Sequence, residues 1–131
     1  MKQKVLLDSN IIIYSTLTDY DFLTHDLSNY FLTACAISKV EVLGYHKLSN
    51  TDKTYFTEYF ATIPLYAVNM KVINHATKLR QIKKMSLGDA IIACTALINE
   101  TPLVTRNSSD FDWIDNLNVI NPFDSYRSKK L

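Results

Sequence analysis

Short apolar runs alternate with amphipathic stretches along this chain, and the alternation predicts its architecture. Val5-Leu6-Leu7 is apolar without a polar interruption, stops at Asp8, and passes through Ser9 and Asn10 into Ile11-Ile12-Ile13-Tyr14. A run of this kind reads as a strand buried on both faces whose C-terminal end feeds a helix. The pattern recurs. Residues 34–37, 65–68 and 102–105 read as further apolar strands, and 118–120 as a short fifth one.

Between them lie helical patterns. The first runs from Asn10 to Leu17, and a second ends over residues 27–32. Ser38-Lys39-Val40-Glu41 matches a capping box, with serine as N-cap and an acid three residues on, and predicts a helix continuing through Val42, Leu43 and Tyr45. Residues 50–63 carry Tyr55, Phe56, Tyr59, Phe60 and Ile63 at helical spacing before Pro64 stops the pattern. Asn69 caps a helix with Val72, Ile73, Ala76, Leu79 and Ile82 on one face. Ser86-Leu87-Gly88-Asp89 is a second capping box, and residues 90–98 behind it are apolar nearly all round, which predicts a central, buried helix. Apolar strands alternating with helices predict an α/β three-layer sandwich around a central, mostly parallel sheet of about five strands. Residues 1–131 are expected to form one domain.

Composition narrows this only slightly. A hydrophobic content of 47% with 21% charged residues suits a globular domain, and a net charge of +1 provides no overall steering toward a polyanion. Cys35 and Cys94 both sit in apolar runs and are expected to be reduced, buried thiols. Lys2 and Lys4 precede an apolar stretch, but Asp8 and Asn10 interrupt it, so a signal peptide is not expected. No run reaches the length of a membrane span, and a cytoplasmic location is the expectation.

Four acids then fall at equivalent places. Asp8 ends the first strand and Glu41 follows the second. Asp89 lies in the first turn of the central helix, and Asp110 follows the fourth strand. In an open parallel sheet, ligands bind beyond the strand C-termini, where the strand order switches. Capping explains Glu41 or Asp89 taken singly, since acids gain up to about 1 kcal/mol near a helix N-terminus. It does not explain the set. At an effective dielectric near 20, two carboxylates about 4 Å apart repel by roughly 4 kcal/mol. Converging acids must be protonated, spread apart, or neutralised by a cation. Oxygen donors without histidine or thiolate favour Mg²⁺ or Mn²⁺, and such an ion suits phosphoryl substrates. His25, His46 and His75 lie outside these turns. Ser9 and Asn10 can orient Asp8 or a water, Thr105 and Asn107 can do the same at the fourth turn, and Gly88 leaves room beside Asp89 for a substrate. Lys78, Arg80, Lys83 and Lys84 form a basic cluster able to hold a polyanion, as could the tail bearing Arg127, Lys129 and Lys130, although a charge run is more often a solvated face. The aromatics of residues 55–60 are expected to divide between core packing and a partner surface.

Leu7-Asp8-Ser9-Asn10, Glu41 after an apolar strand, Leu87-Gly88-Asp89-Ala90-Ile91-Ile92-Ala93, Leu103-Val104-Thr105-Arg106-Asn107 with Asp110-Phe111, and Val119-Ile120-Asn121-Pro122 together resemble the PIN domain. More narrowly they resemble the VapC-like toxins of type II toxin–antitoxin systems, over nearly the whole chain. The resemblance implies a Mg²⁺- or Mn²⁺-dependent endoribonuclease, inhibited by a small cognate antitoxin and commonly a homodimer. By matched position Asp8, Glu41 and Asp89 form its acidic core. The family's fourth acid falls at the position of Asn107 or of Asp110, so Asp110 must supply the charge here, with Asp8, Asp89 and Asp110 the implied metal ligands. A phosphoryl-accepting receiver would want an aspartate where Asn69 stands, and an aspartyl phosphatase one where Asn10 stands. The remaining alternative is a catalytically silent module of the same fold that binds RNA or protein.

Overall fold

The computed structural model describes residues 2–124, so the basic tail with Arg127, Lys129 and Lys130 lies outside the described residues. Five strands, β1 (Gln3–Leu7), β2 (Tyr30–Cys35), β3 (Leu65–Tyr66), β4 (Leu103–Val104) and β5 (Val119–Ile120), form one sheet. Their order is β3-β2-β1-β4-β5, and every neighbouring pair is parallel. Six helices connect them: α1 (Ser9–Tyr14), α2 (Phe22–Leu27), α3 (Ala36–Leu43), α4 (Asn50–Thr62), α5 (Met70–Ile82) and α6 (Leu87–Ile98).

The strands are apolar without alternation because each face of the sheet has its own core. Leu6 of β1, Cys35 of β2 and Leu103 of β4 pack with α5 and α6 on one side. Their neighbours Val5, Leu7, Ala34 and Val104 pack on the other, with Ile11 and Ile12 of α1, Leu23 and Leu27 of α2, Val42 of α3, and Phe56 and Phe60 of α4. Residues 90–96 of α6 are all buried, as the unbroken apolar stretch predicts. Cys35 and Cys94 are buried free thiols. Burial pushes the Cys94 thiol up to about 11, which keeps it unreactive.

Two predicted elements are corrected. The second helix does not extend through residues 27–32: α2 ends at Leu27, and β2 begins at Tyr30 rather than at residue 34. The Ser28 hydroxyl and the Asn29 amide donate back to the carbonyls of His25 and Asp26, closing the last turn, and aromatic and β-branched residues then extend the chain. Nor is Ser38 an N-cap. Helix α3 starts at Ala36 with Cys35 in the cap position, so Ser38 is its third residue and Glu41 lies beyond the first turn. The caps at Asn69 and Ser86 stand, and Ser49 caps α4 in the same way, each accepting from the backbone N–H three residues on. On α4, Phe56 and Phe60 are core, Tyr59 is half-buried and Tyr55 is exposed. Ile92, fully enclosed at the centre of α6, is the most direct probe of the α5–α6 layer. Ile92→Ala is expected to lower stability by about 2–5 kcal/mol, read as a lower urea midpoint at unchanged slope.

Candidate active site

Strand order reverses direction at the β1–β4 seam, where the β1 chain goes outward to β2 and β4 continues the sheet the other way. The crevice beyond that seam receives Asp8. Its N–H donates to the Val104 carbonyl at 2.9 Å, which seats residue 8 against the end of β4. Asp8 occupies the N-cap position of α1, yet its carboxylate makes no capping bond to that helix. It turns instead across the seam, where the Thr105 hydroxyl donates to Oδ2 at 2.8 Å. Thr105 is wholly buried and Asp8 only 4% exposed. The Asn107 N–H donates to the Thr105 oxygen at 3.1 Å and fixes that hydroxyl in turn.

Burial raises the proton affinity of Asp8 to about 6, against 3.8 for an ordinary aspartate. Thr105 and the Ser9 N–H oppose the shift, while the neighbouring Asp89 and Glu41 charges add to it. Asp89 is raised as well, by burial first and by Asp110 and Glu41 last, against a hydrogen bond from Ser86. Asp8 and Asp89 therefore lie close enough to feel each other and Glu41, while Asp110 bears on Asp89. The cation that follows Thr105 in sequence is committed elsewhere. Arg106 stacks on Phe123 at 4.3 Å and on Tyr14 and Tyr20 at 5.3 Å each, and donates to the Tyr20 hydroxyl at 3.0 Å.

Glu41 reaches the crevice from α3. The Ser9 Oγ lies 2.8 Å from both Glu41 Oε1 and Ser38 Oγ. A hydroxyl has one proton and the carboxylate can only accept, so Ser9 donates to Glu41 and accepts from Ser38. The far side of Glu41 rests on Gly88, where a Cβ would stand 2.5 Å from Oε2. Gly88 thus makes room for Glu41, rather than for a substrate as its place beside Asp89 suggests. Asp89 sits in the first turn of α6, where its N–H is capped by Ser86 at 3.1 Å. Asp110 closes a 3-10 turn, Ser108–Asp110, and is exposed. Asn10 and Asn107 are exposed at the two turns, and Asn107 acts on Thr105 through its backbone. Lys83, Lys84 and Arg80 line a cavity together with Asp89 and Asp110, whereas Lys78 does not. His25, His46 and His75 are exposed.

A divalent ion finds suitable chemistry in this donor set: carboxylates at mutual repulsion, with no cation among the groups that shift Asp8. Among the described residues, no three His, Cys, Asp or Glu side chains are drawn together into a ready-made metal cluster. Sequence reasoning missed two residues here. Ser38 was assigned to a cap but supports the Ser9–Glu41 pair, and Trp113, which lines the same cavity, lies in a polar loop with no periodic signal.

Neither a protein-family model nor a curated protein sequence matches the chain. Solved structures do. A chain of a toxin–antitoxin complex from Klebsiella pneumoniae is 26% identical, with a TM-score of 0.76 over 90% of this chain and 97% of that one. VapBC-1 from nontypeable Haemophilus influenzae gives 23% identity and a TM-score of 0.76 over 91% and 98%. VapBC2 from Rickettsia felis, bound to a DNA fragment from its promoter, gives 20% and 0.74 over 91% and 98%. Among the described residues no helix is long and apolar enough to cross a membrane.

The strain at Asp8 has a measurable sign. Its folded proton affinity is raised, so the favourable contribution of the protonated acid is present below the unfolded value of 3.8 and is lost as pH rises through about 6. The full difference is about 3 kcal/mol. In chelator, Asp8→Asn is expected to melt above the wild type at pH 7.5, by up to that amount, and to show little advantage at pH 3.5.

Proposed function

From the premise that the chain has a VapC-like PIN fold, which the likenesses to solved structures establish, we propose that it is a metal-dependent endoribonuclease. It hydrolyses RNA phosphodiester bonds as the toxin of a toxin–antitoxin pair, in the cytoplasm, and is inhibited by a small cognate antitoxin. The observation that carries this proposal is Asp8, a carboxylate buried at the switch point, unused for capping, with like charges as neighbours. Neither packing nor helix capping asks for that placement.

Asp8, Asp89 and Asp110 would hold Mg²⁺ or Mn²⁺, which when bound supplies a water of lowered pKa and positive charge for the phosphate oxygens. The protein's own part is positioning. Thr105 fixes the orientation of Asp8 through Oδ2, so the carboxylate does not turn away when the crevice fills. Glu41, held by Ser9 at one oxygen and seated on Gly88, is placed to orient the attacking water or to hold its proton. Asn10 and Asn107, exposed at the crevice turns, are available to hold water.

The antitoxin has a suitable seat. An apolar groove of about 390 Å³, lined by Ile13, Leu17, Val42, Tyr45 and Phe56, opens beside Glu41, so a segment entering the crevice would bury its apolar side chains there. A homodimer accords with the large apolar side chains left exposed, Tyr55 and Phe31 among them.

Purified protein freed of any partner is expected to cut RNA only when Mg²⁺ or Mn²⁺ is supplied. Asp8→Asn is expected to remove cleavage by more than the ~100-fold that loss of a metal ligand's supporting partner produces. Cleavage that persists in excess chelator, or that survives this substitution in a folded protein, would leave the silent binding module as the better account. Gly88→Ala provides an independent check on Glu41. The added methyl meets the flexible end of an exposed side chain, and alanine gains about 1 kcal/mol over glycine in a helix. The variant should therefore melt at or above the wild-type temperature while losing about 10–100-fold in cleavage, as Glu41 leaves Ser9.

A further inference from the structure

The cavity that holds Asp89 and Asp110 has a second character. Of about 580 Å³, within the range of small-ligand sites, it is lined also by Arg80, Lys83, Lys84 and Trp113. Carboxylates at a proposed cleavage centre thus share one open space with three cations and an indole. The indole is held in place. Its Nε1 donates to the Asp110 carbonyl at 2.9 Å, and part of the ring packs against the α5–α6 core. Trp113 is therefore fixed to the same turn that presents Asp110. Its other surface is covered by a cation: the Lys83 ammonium lies 5.3 Å from the ring centroid. Arg80 is steadied by a bond from Nε to the Met85 carbonyl at 3.1 Å, which leaves the terminal guanidinium nitrogens for another partner.

A rigid aromatic face among cations is how proteins hold single-stranded nucleic acid, with bases stacked on rings and the backbone tracked by Lys and Arg. We propose that this cavity is a subsite for a nucleotide flanking the cleaved phosphodiester of single-stranded RNA. The base stacks on Trp113, and Lys83, Lys84 and Arg80 take its phosphate. The proposal rests on the ribonuclease function above and adds to it where the strand runs, from the carboxylates toward the end of α5.

Lys83 does not block the ring. A water-exposed ammonium over an aromatic is held more weakly than a stacked base. Only the tip of a flexible side chain has to move, and it moves toward the phosphate. Stacking requires a base free of a pairing partner, so the subsite selects loops and single strands over duplex. It discriminates little among bases, since each has a π-face.

Trp113 is the chain's single tryptophan, so its fluorescence reports on this cavity alone. The Asp8→Asn chain, which binds without cutting, is titrated with a single-stranded adenylate decamer labelled for anisotropy. Saturable quenching of Trp113 in step with anisotropy is expected. Trp113→Leu is expected to weaken binding about tenfold and Trp113→Phe to restore most of it. Lys83→Gln with Lys84→Gln should lessen the salt dependence of binding. In the cutting enzyme, Trp113→Leu should raise KM and leave kcat near the wild type. Tight binding without quenching, or a folded Trp113→Leu variant that binds and cuts like the wild type, would overturn the subsite and leave the ribonuclease standing. A chain that neither binds the decamer nor cuts RNA in Mg²⁺ or Mn²⁺ would remove both.

Discussion

The hydrogen bond from Thr105 to Asp8 crosses the seam where the sheet changes direction, and the site is arranged around it. A buried carboxylate next to other carboxylates is a poor choice for stability. Neutral donors offset it only in part: the Thr105 hydroxyl, the Ser9 N–H, and behind Thr105 the Asn107 N–H. Hydroxyls and amides lower a carboxylate's proton affinity less effectively than a lysine or arginine would, and Asp8 stays well above an ordinary aspartate. The parallel pairing of β1 with β4 makes the contact possible, since it brings the C-terminal ends of both strands to the same edge.

The second carboxylate is handled in the same manner. Glu41 is supported by a relay of hydroxyls, Ser38 to Ser9 to the carboxylate, that joins α3 to α1. It lies on the one residue of α6 without a side chain. Three helices thus converge on a group that accepts hydrogen bonds and receives no counter-charge from them. A fold that only needed to be stable would gain by replacing these acids, and acids kept against that gradient are what function at a strained site produces.

Much of this was legible in the sequence, and the misses have physical causes. The central strands announced themselves because their C-terminal ends are buried on both faces, and the caps at Asn69 and Ser86 bond as their spacing requires. The start of β2 was hidden because Tyr30, Phe31 and Leu32 continue the apolar character of α2, and only the Ser28-Asn29 turn separates them. Ser38 misled because serine followed three residues later by glutamate satisfies a local pattern that a tertiary contact can also use. The hydroxyl bonds to Ser9, twenty-nine residues away, and no local rule encodes that distance. That Asp8, Glu41 and Asp89 lie near one another could be read from the sequence because topology places strand ends together. The position of Trp113 could not, because it follows from a single bond to the backbone of Asp110.

The distribution of positive charge gives the arrangement its direction. Among the described residues, Arg106 and the cluster at the end of α5 are held in different ways. Arg106, adjacent to Thr105, is held by three aromatic rings and the Tyr20 hydroxyl, and Asn121 donates to its carbonyl. That cage fixes α1 and the segment ending in Phe123 to the end of β4, so this arginine is spent on structure. Arg80, Lys83 and Lys84 lie on the opposite flank, exposed and sharing a cavity with Asp89 and Asp110. A net charge of +1 provides no long-range field, so any electrostatic preference is local to such clusters. Among the described residues the carboxylates of Asp89 and Asp110 thus share their cavity with exposed cations from the end of α5, whereas the arginine beside Thr105 is enclosed by aromatic rings. The asymmetry follows from which face of the sheet each element packs on.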